Sequence, residues 1–180
     1  MASQEKTGNK TGRTFAVLGT AAFLLLAPGT VAGFIPWWIS HWHLRPPFLG
    51  FAPFRAIGVL FMAVGIAVVL EAFARFALQG IGTPAPVLPT RHLVVNGSYR
   101  YVRNPMYVAV TALILGQALF LGDVHVLEYA IIPWLAANLF VLFYEEPTLR
   151  RSFGAEYENY RAHVPRWIPR LTSWNNSANN

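Results

Sequence analysis

Charged residues are missing from long stretches of this chain, and the lengths of those stretches are the strongest constraint on its fold. Residues 14–40 form one uncharged window of 27, residues 56–70 one of 15, residues 104–122 one of 19 and residues 129–144 one of 16. A bilayer core about 30 Å thick takes about 20 helical residues to cross. Four helical spans fit, at about 14–36, 54–78, 105–122 and 126–145. Pro28-Gly29 interrupts the first window, so a fifth segment arises if the helix breaks there. The chain is 54% hydrophobic and only 12% charged, with a mean hydropathy of +0.39. Soluble domains carry about 25% charged residues, so this much apolar surface cannot be hidden in a water-soluble chain of 180 residues. Disorder is excluded on the same grounds. The absence of cysteine excludes a disulfide scaffold, thiolate catalysis and cysteine-ligated metal. The expected fold is an all-α, polytopic integral membrane protein forming a single domain over residues 1–180. Residues 1–12 and 172–180 are polar and expected to be flexible.

Basic residues set the expected orientation. Lys6, Lys10 and Arg13 precede the first window. Arg91, Arg100 and Arg103 lie between the second and third spans, and Arg150, Arg151, Arg161, Arg166 and Arg170 follow the fourth. Only Arg45 and Arg55 occupy the opposite side. The positive-inside rule then puts both termini in the cytoplasm. The formal charge of +6 is a topology signal and not a nucleic-acid footprint, because the basic residues are dispersed along membrane-flanking segments. Trp37, Trp38 and Trp42 form an interfacial belt around His41 and His43. No acidic residue stands near those histidines in sequence, so no metal site is expected. Within the second span, Glu71 and Arg75 stand four apart and are expected to pair, which argues against a transport pathway.

Chemistry concentrates in two polar stretches on the cytoplasmic side, residues 91–107 and 145–169. In the first, Asn104-Pro105 reads as a helix start, with Asn as cap and Pro at the first helical position. Free backbone N–H groups there, beside Arg103, suit a carboxylate or phosphate; an ordinary capped helix with a positive-inside arginine explains the same residues. Tyr107 lies one turn further in. In the second stretch, Glu145 and Glu146 end the fourth span, where paired carboxylates are costly without a cation. Arg150, four residues beyond Glu146, is the local candidate; a cationic ligand is the functional one. Pro147 is expected to start a fresh helix. Leu149, Phe153, Tyr157 and Tyr160 make one face of an amphipathic cytoplasmic helix, lying on the membrane or folding over a pocket. An anion-friendly helix start, a carboxylate pair and an aromatic cover on one membrane face match a zwitterionic cofactor with a flat base.

The two stretches resemble the isoprenylcysteine carboxyl methyltransferase family and its phospholipid methyltransferase relatives. That pattern runs Gly-x-Tyr-x-x-x-Arg-His-Pro-x-Tyr, a hydrophobic stretch, Glu-Glu, Phe-Gly-x-x-Tyr and Arg-Val-Pro. Here it is met by Gly97, Tyr99, Arg103, Pro105, Tyr107, Glu145, Glu146, Phe153, Gly154, Tyr157, Val164 and Pro165. Asn104 stands in place of the family histidine and His163 in place of the arginine. Asn keeps hydrogen-bonding capacity but does not titrate near neutrality, and His163 is a conditional cation.

The resemblance implies an integral-membrane enzyme using S-adenosylmethionine. Arg91, His92, Leu93, Val94, Tyr99, Asn104, Pro105, Met106, Tyr107, Glu145 and Glu146 would surround the cofactor. Arg103 would lie near the transferring methyl group, and the C-terminal segment would close over the pocket. The acceptor would be lipid-like or prenylated, with O-methylation of a carboxylate favoured. For an amine acceptor, His163 is the candidate to take its proton. Two alternatives stand beside this: an NADPH-dependent enzyme like the sterol reductases, and a non-catalytic membrane binding protein of the same fold.

Overall fold

The computed structural model describes residues 26–79, 93 and 95–175, the side chains of 76–79 excepted, and every regular element among them is helical. The first half of the expected first span therefore lies outside the described residues. A π-helical turn, Thr30–Phe34, leads into α1 (Ile35–Ser40). A 3-10 turn (Phe48–Gly50) precedes α2 (Pro53–Gln79), and another (Gly97–Arg100) precedes α3 (Pro105–Leu121). α4 (Val124–Phe140) continues through a second π turn, Val141–Glu145, into α5 (Glu146–His163). Two helical runs, Pro53–Arg75 and Val124–His163, are long and apolar enough to cross a membrane, and Pro105–Leu121 is a shorter apolar helix.

α2 and α3 pack antiparallel with their backbones nearly touching. A Cβ added at Gly58 would sit 2.6 Å from the Gly116 carbonyl oxygen, and one at Gly116 would sit 2.7 Å from that of Gly58. Glycines at both positions permit this approach, the means by which helices associate where lipid removes the hydrophobic drive. α3 ends at Gly122, and Asp123 caps α4 by accepting from the backbone N–H groups of His125 (2.9 Å) and Val126 (3.4 Å). The tight turn makes α3 and α4 antiparallel neighbours. Arg45 fastens this end, pairing with the buried Asp123 at 3.2 Å and donating its backbone N–H to Leu121 at 2.8 Å.

Both π turns stand two residues before a proline, Pro36 and Pro147. Proline lacks the N–H that would close the preceding turn, and a wider turn absorbs that loss. In the first case the freed carbonyls find side-chain donors: Gln117 Nε2 donates to Ala32 O (2.7 Å) and Tyr129 Oη to Val31 O (2.9 Å). α1 is thereby tied to α3 and α4. In the second case the helix runs on, and the expectation of a fresh start at Pro147 is corrected. The backbone instead leaves helical geometry at Gly154 (φ 48°, ψ −120°).

One core cluster joins Ala32, Ile114, Ala118, Val126 and Ala130; a second joins Val69, Phe73 and Ala109. Outward faces are apolar as well. Val64, Leu70, Ile131, Ile132, Leu139 and Phe143 are all more than half exposed. Exposure on this scale is costly in water and costs nothing against lipid.

Candidate functional site

The site is built where the N-terminal end of α3 meets the C-terminal end of α4. The chain after α5 runs back along residues 99–104 and is stitched to them. Tyr160 Oη donates to Tyr99 O (2.7 Å), Arg103 N to Pro165 O (2.9 Å), Arg170 N to Tyr101 O (2.9 Å) and Trp174 N to Arg100 O (3.0 Å). Arg100 returns bonds to Trp174 O (2.8 Å) and Ser173 Oγ (3.3 Å). Ser173 and Trp174, within the stretch expected to be flexible, are thus anchored. Leu149, Phe153, Tyr157 and Tyr160 gather as expected, with Leu93, Val95, Val164 and Trp174, in a single cluster beneath this seam.

Glu146 lies at its centre, only 5% exposed. It accepts from Arg103 Nη1 (2.8 Å), Arg166 Nε (2.7 Å) and Arg166 Nη2 (2.9 Å). A buried carboxylate is tolerated only when so paired, and the bidentate guanidinium fork is the strongest form of pairing. The bond from Glu146 holds the Arg166 guanidinium above its usual range, keeping it cationic. Two guanidinium groups face one carboxylate, so the triad carries a surplus positive charge. Arg103 Nη1 also donates to Tyr157 Oη (3.3 Å), while Arg103 Nε is buried without a hydrogen-bond partner among the described residues. The local candidate pair, Glu146 with Arg150, does not form. Arg150 pairs instead with Glu158 (3.1 Å), because Glu146 faces inward and Arg150 faces solvent.

Glu145 points to α3, where its Oε2 accepts from Tyr107 Oη at 3.2 Å. Nearby, burial first, and then the fields of Glu145 and Glu71, push the Tyr99 phenol well above its ordinary range, so it stays a neutral O–H group. Its hydroxyl makes no hydrogen bond to a described residue.

Of the other residues singled out in the sequence, Arg91, His92 and Val94 lie outside the described residues. Leu93 packs on the Tyr157 cluster, Met106 on the Val69 cluster, and Pro105 is fully buried. Asn104 occupies the cap position of α3, but its side chain makes no capping bond. It is turned to the C-terminal segment, donating to Arg166 O at 3.2 Å, and so supports the arginine that holds Glu146. His163 is exposed. Its Nδ1 lies 2.8 Å from Asn159 O and its ring stacks on Trp174. Sequence reasoning missed Arg166 as the main partner of Glu146, and missed Ser98, which donates to Glu71 at 2.7 Å. An arginine directly after the Val-Pro pair was the available signal for the first.

An apolar cavity of about 610 Å³ lies apart from this cluster, lined by Ala32, Trp42, Met62, Ile66, Leu113 and Gln117 among others.

Comparison with known proteins places these residues in context. The model of the phospholipid methyltransferase family matches residues 54–156. Protein-S-isoprenylcysteine O-methyltransferase of Schizosaccharomyces pombe is 38% identical over 78 residues, which cover 43% of this chain and 33% of the relative. The matched part of the chain thus spans about a third of the length of that curated relative.

Proposed function

Because the chain belongs to the phospholipid methyltransferase family, we propose that it is an S-adenosylmethionine-dependent methyltransferase working at the cytoplasmic face of a membrane on a lipid-like or prenylated acceptor. The observation that carries this reading is the junction of α3 and α4, where Tyr107 and Glu145 meet beside the Arg103–Glu146–Arg166 triad. In this reading the chain crosses the membrane four times, or five if the first segment breaks at Pro28-Gly29. Both termini are cytoplasmic, and α5 is the amphipathic cover.

The groups present suit the cofactor. Glu145 keeps one carboxylate oxygen free of Tyr107 and offers a partner for an ammonium group. The Tyr99 hydroxyl is a neutral donor with no bond to a described residue, and the aromatic cluster of α5 supplies apolar cover. By the family pattern, Arg91, His92, Leu93 and Val94 would join the cradle with Asn104, Pro105, Met106 and Tyr107. Bound S-adenosylmethionine supplies a methyl group activated by a sulfonium. The protein's work is positioning and exclusion of water. Arg103, with the surplus positive charge of the triad, orients an anionic acceptor. An ionised carboxylate needs no proton removed. His163, the candidate base for an amine, is turned to Trp174 and solvent, which favours O-methylation of a carboxylate.

Labelling membranes that contain the protein with tritiated-methyl S-adenosylmethionine tests this. The expected product is lipid-soluble and base-labile, as an ester is. A base-stable product would replace the carboxylate by an amine, and no product above that of a Glu145→Ala control would overturn the enzymatic reading.

A further inference from the structure

Glu71 and Arg75 interrupt the apolar run of α2, and the site described above leaves them without a role. They pair with each other, but the pair also serves the next element. Glu71 Oε2 accepts from Ser98 Oγ at 2.7 Å, and Oε1 accepts from the Ser98 backbone N–H at 3.4 Å. A Cβ at Gly97 would overlap the carboxylate of Glu71 and the guanidinium of Arg75, so the Gly97–Arg100 turn lies directly against the pair. On the far side of that turn, the Tyr99 carbonyl accepts from Tyr160 Oη. The backbone at Tyr99 is therefore clamped from α2 through Ser98 and from α5 through Tyr160. The phenol that it carries makes no hydrogen bond to a described residue. In a lipid-flanked chain, an ion pair is costly to keep, and its bond to a turn 27 residues away gives it a use.

We propose that Glu71 and Ser98 are positioning residues, docking the Gly97–Arg100 turn on α2 so that the Tyr99 hydroxyl is presented to the ligand held at Glu145. This rests on reading the site as a cofactor pocket, and it extends the working parts of that pocket to α2. The dock acts through Tyr99 and touches no reacting atom. Its signature is therefore coupling: once the hydroxyl is gone, losing its placement costs nothing more.

The test is a double-mutant cycle on the full chain in detergent, read by calorimetric titration with S-adenosylhomocysteine. Ser98→Ala and Tyr99→Phe are each expected to weaken binding about tenfold, and the double variant also about tenfold instead of about a hundredfold. Ser98→Thr, which keeps the hydroxyl, is expected to restore binding. Additive losses, or a Ser98→Ala protein that binds like wild type, would overturn the dock. Glu71→Leu, which removes the acceptor oxygens of Ser98, stands in if Ser98→Ala does not fold; wild-type affinity there is equally contrary. Amide hydrogen exchange at residues 97–101 reads the dock without ligand: Ser98→Ala must speed it, and unchanged exchange contradicts the proposal. If the wild-type protein does not bind S-adenosylhomocysteine, the cofactor reading falls, and the exchange comparison still decides the dock.

Discussion

Glu146 is the residue on which the site's geometry turns. Its carboxylate is nearly sealed from solvent and serves guanidinium groups 43 and 20 residues away in sequence. Removing it leaves the buried Arg103 guanidinium without its counter-ion, beside the partly exposed cation of Arg166. Glu146→Ala is therefore expected to destabilise the protein by about 3–5 kcal/mol, the range for breaking a buried pair from one side. Arg150→Ala removes only a solvent-exposed partner of Glu158 and is expected to change stability by less than about 1 kcal/mol. Thermal unfolding of the two variants in detergent checks the contrast; equal losses would mean that the triad is no better buried than a surface pair. The same residue shows where sequence reading stops. The i, i+4 arginine was visible, but the choice among cations is made by packing, which brings Arg103 and Arg166 inward and leaves Arg150 in solvent. Asn104 makes the same point: its position as a helix cap was legible, but the recruitment of its amide to Arg166 O depends on a segment about 60 residues later.

At the scale of the element, local signals carried much further. Charge-free windows and Pro and Gly punctuation anticipated helices over 54–78, 105–122 and 126–145, and the helices found run Pro53–Gln79, Pro105–Leu121 and Val124–Phe140 with its π extension. What punctuation could not convey was the outcome at Pro36 and Pro147, where a wide turn absorbs the missing donor and the axis continues. Nor did it reveal which glycines serve contact. Gly116→Ala would force a methyl group against the α2 backbone, and is expected to cost about 1–3 kcal/mol through overpacking. Gly33→Ala meets nothing within 4 Å, and is expected to stay within about 0.5 kcal/mol of wild type or to gain slightly from helix propensity. Unfolding measurements on the pair decide whether α2 and α3 pack through that seam.

For the molecule as a whole, the apolar exterior and the polar seam divide the work. The helices expose aliphatic side chains along their outer faces, while the Arg103–Glu146–Arg166 cluster and Glu145 gather at one end of α3 and α4 and the Arg45–Asp123 pair fastens the other. The all-helical class was legible because uncharged windows of 15 to 27 residues match the length of helical spans. The meeting of Tyr107 and Glu145 was legible because the family pattern joins them, although 38 residues separate them. How the C-terminal segment holds that meeting was not, since three of its bonds run between backbones and carry no side-chain signature. The central claim is that the ends of α3 and α4 form one cofactor site, and calorimetric titration of the purified chain with S-adenosylhomocysteine tests it most directly. Saturable one-to-one binding is expected, weakened about tenfold or more in Glu145→Ala by loss of a charged hydrogen bond. Absence of binding by the wild-type protein at millimolar ligand would contradict the account.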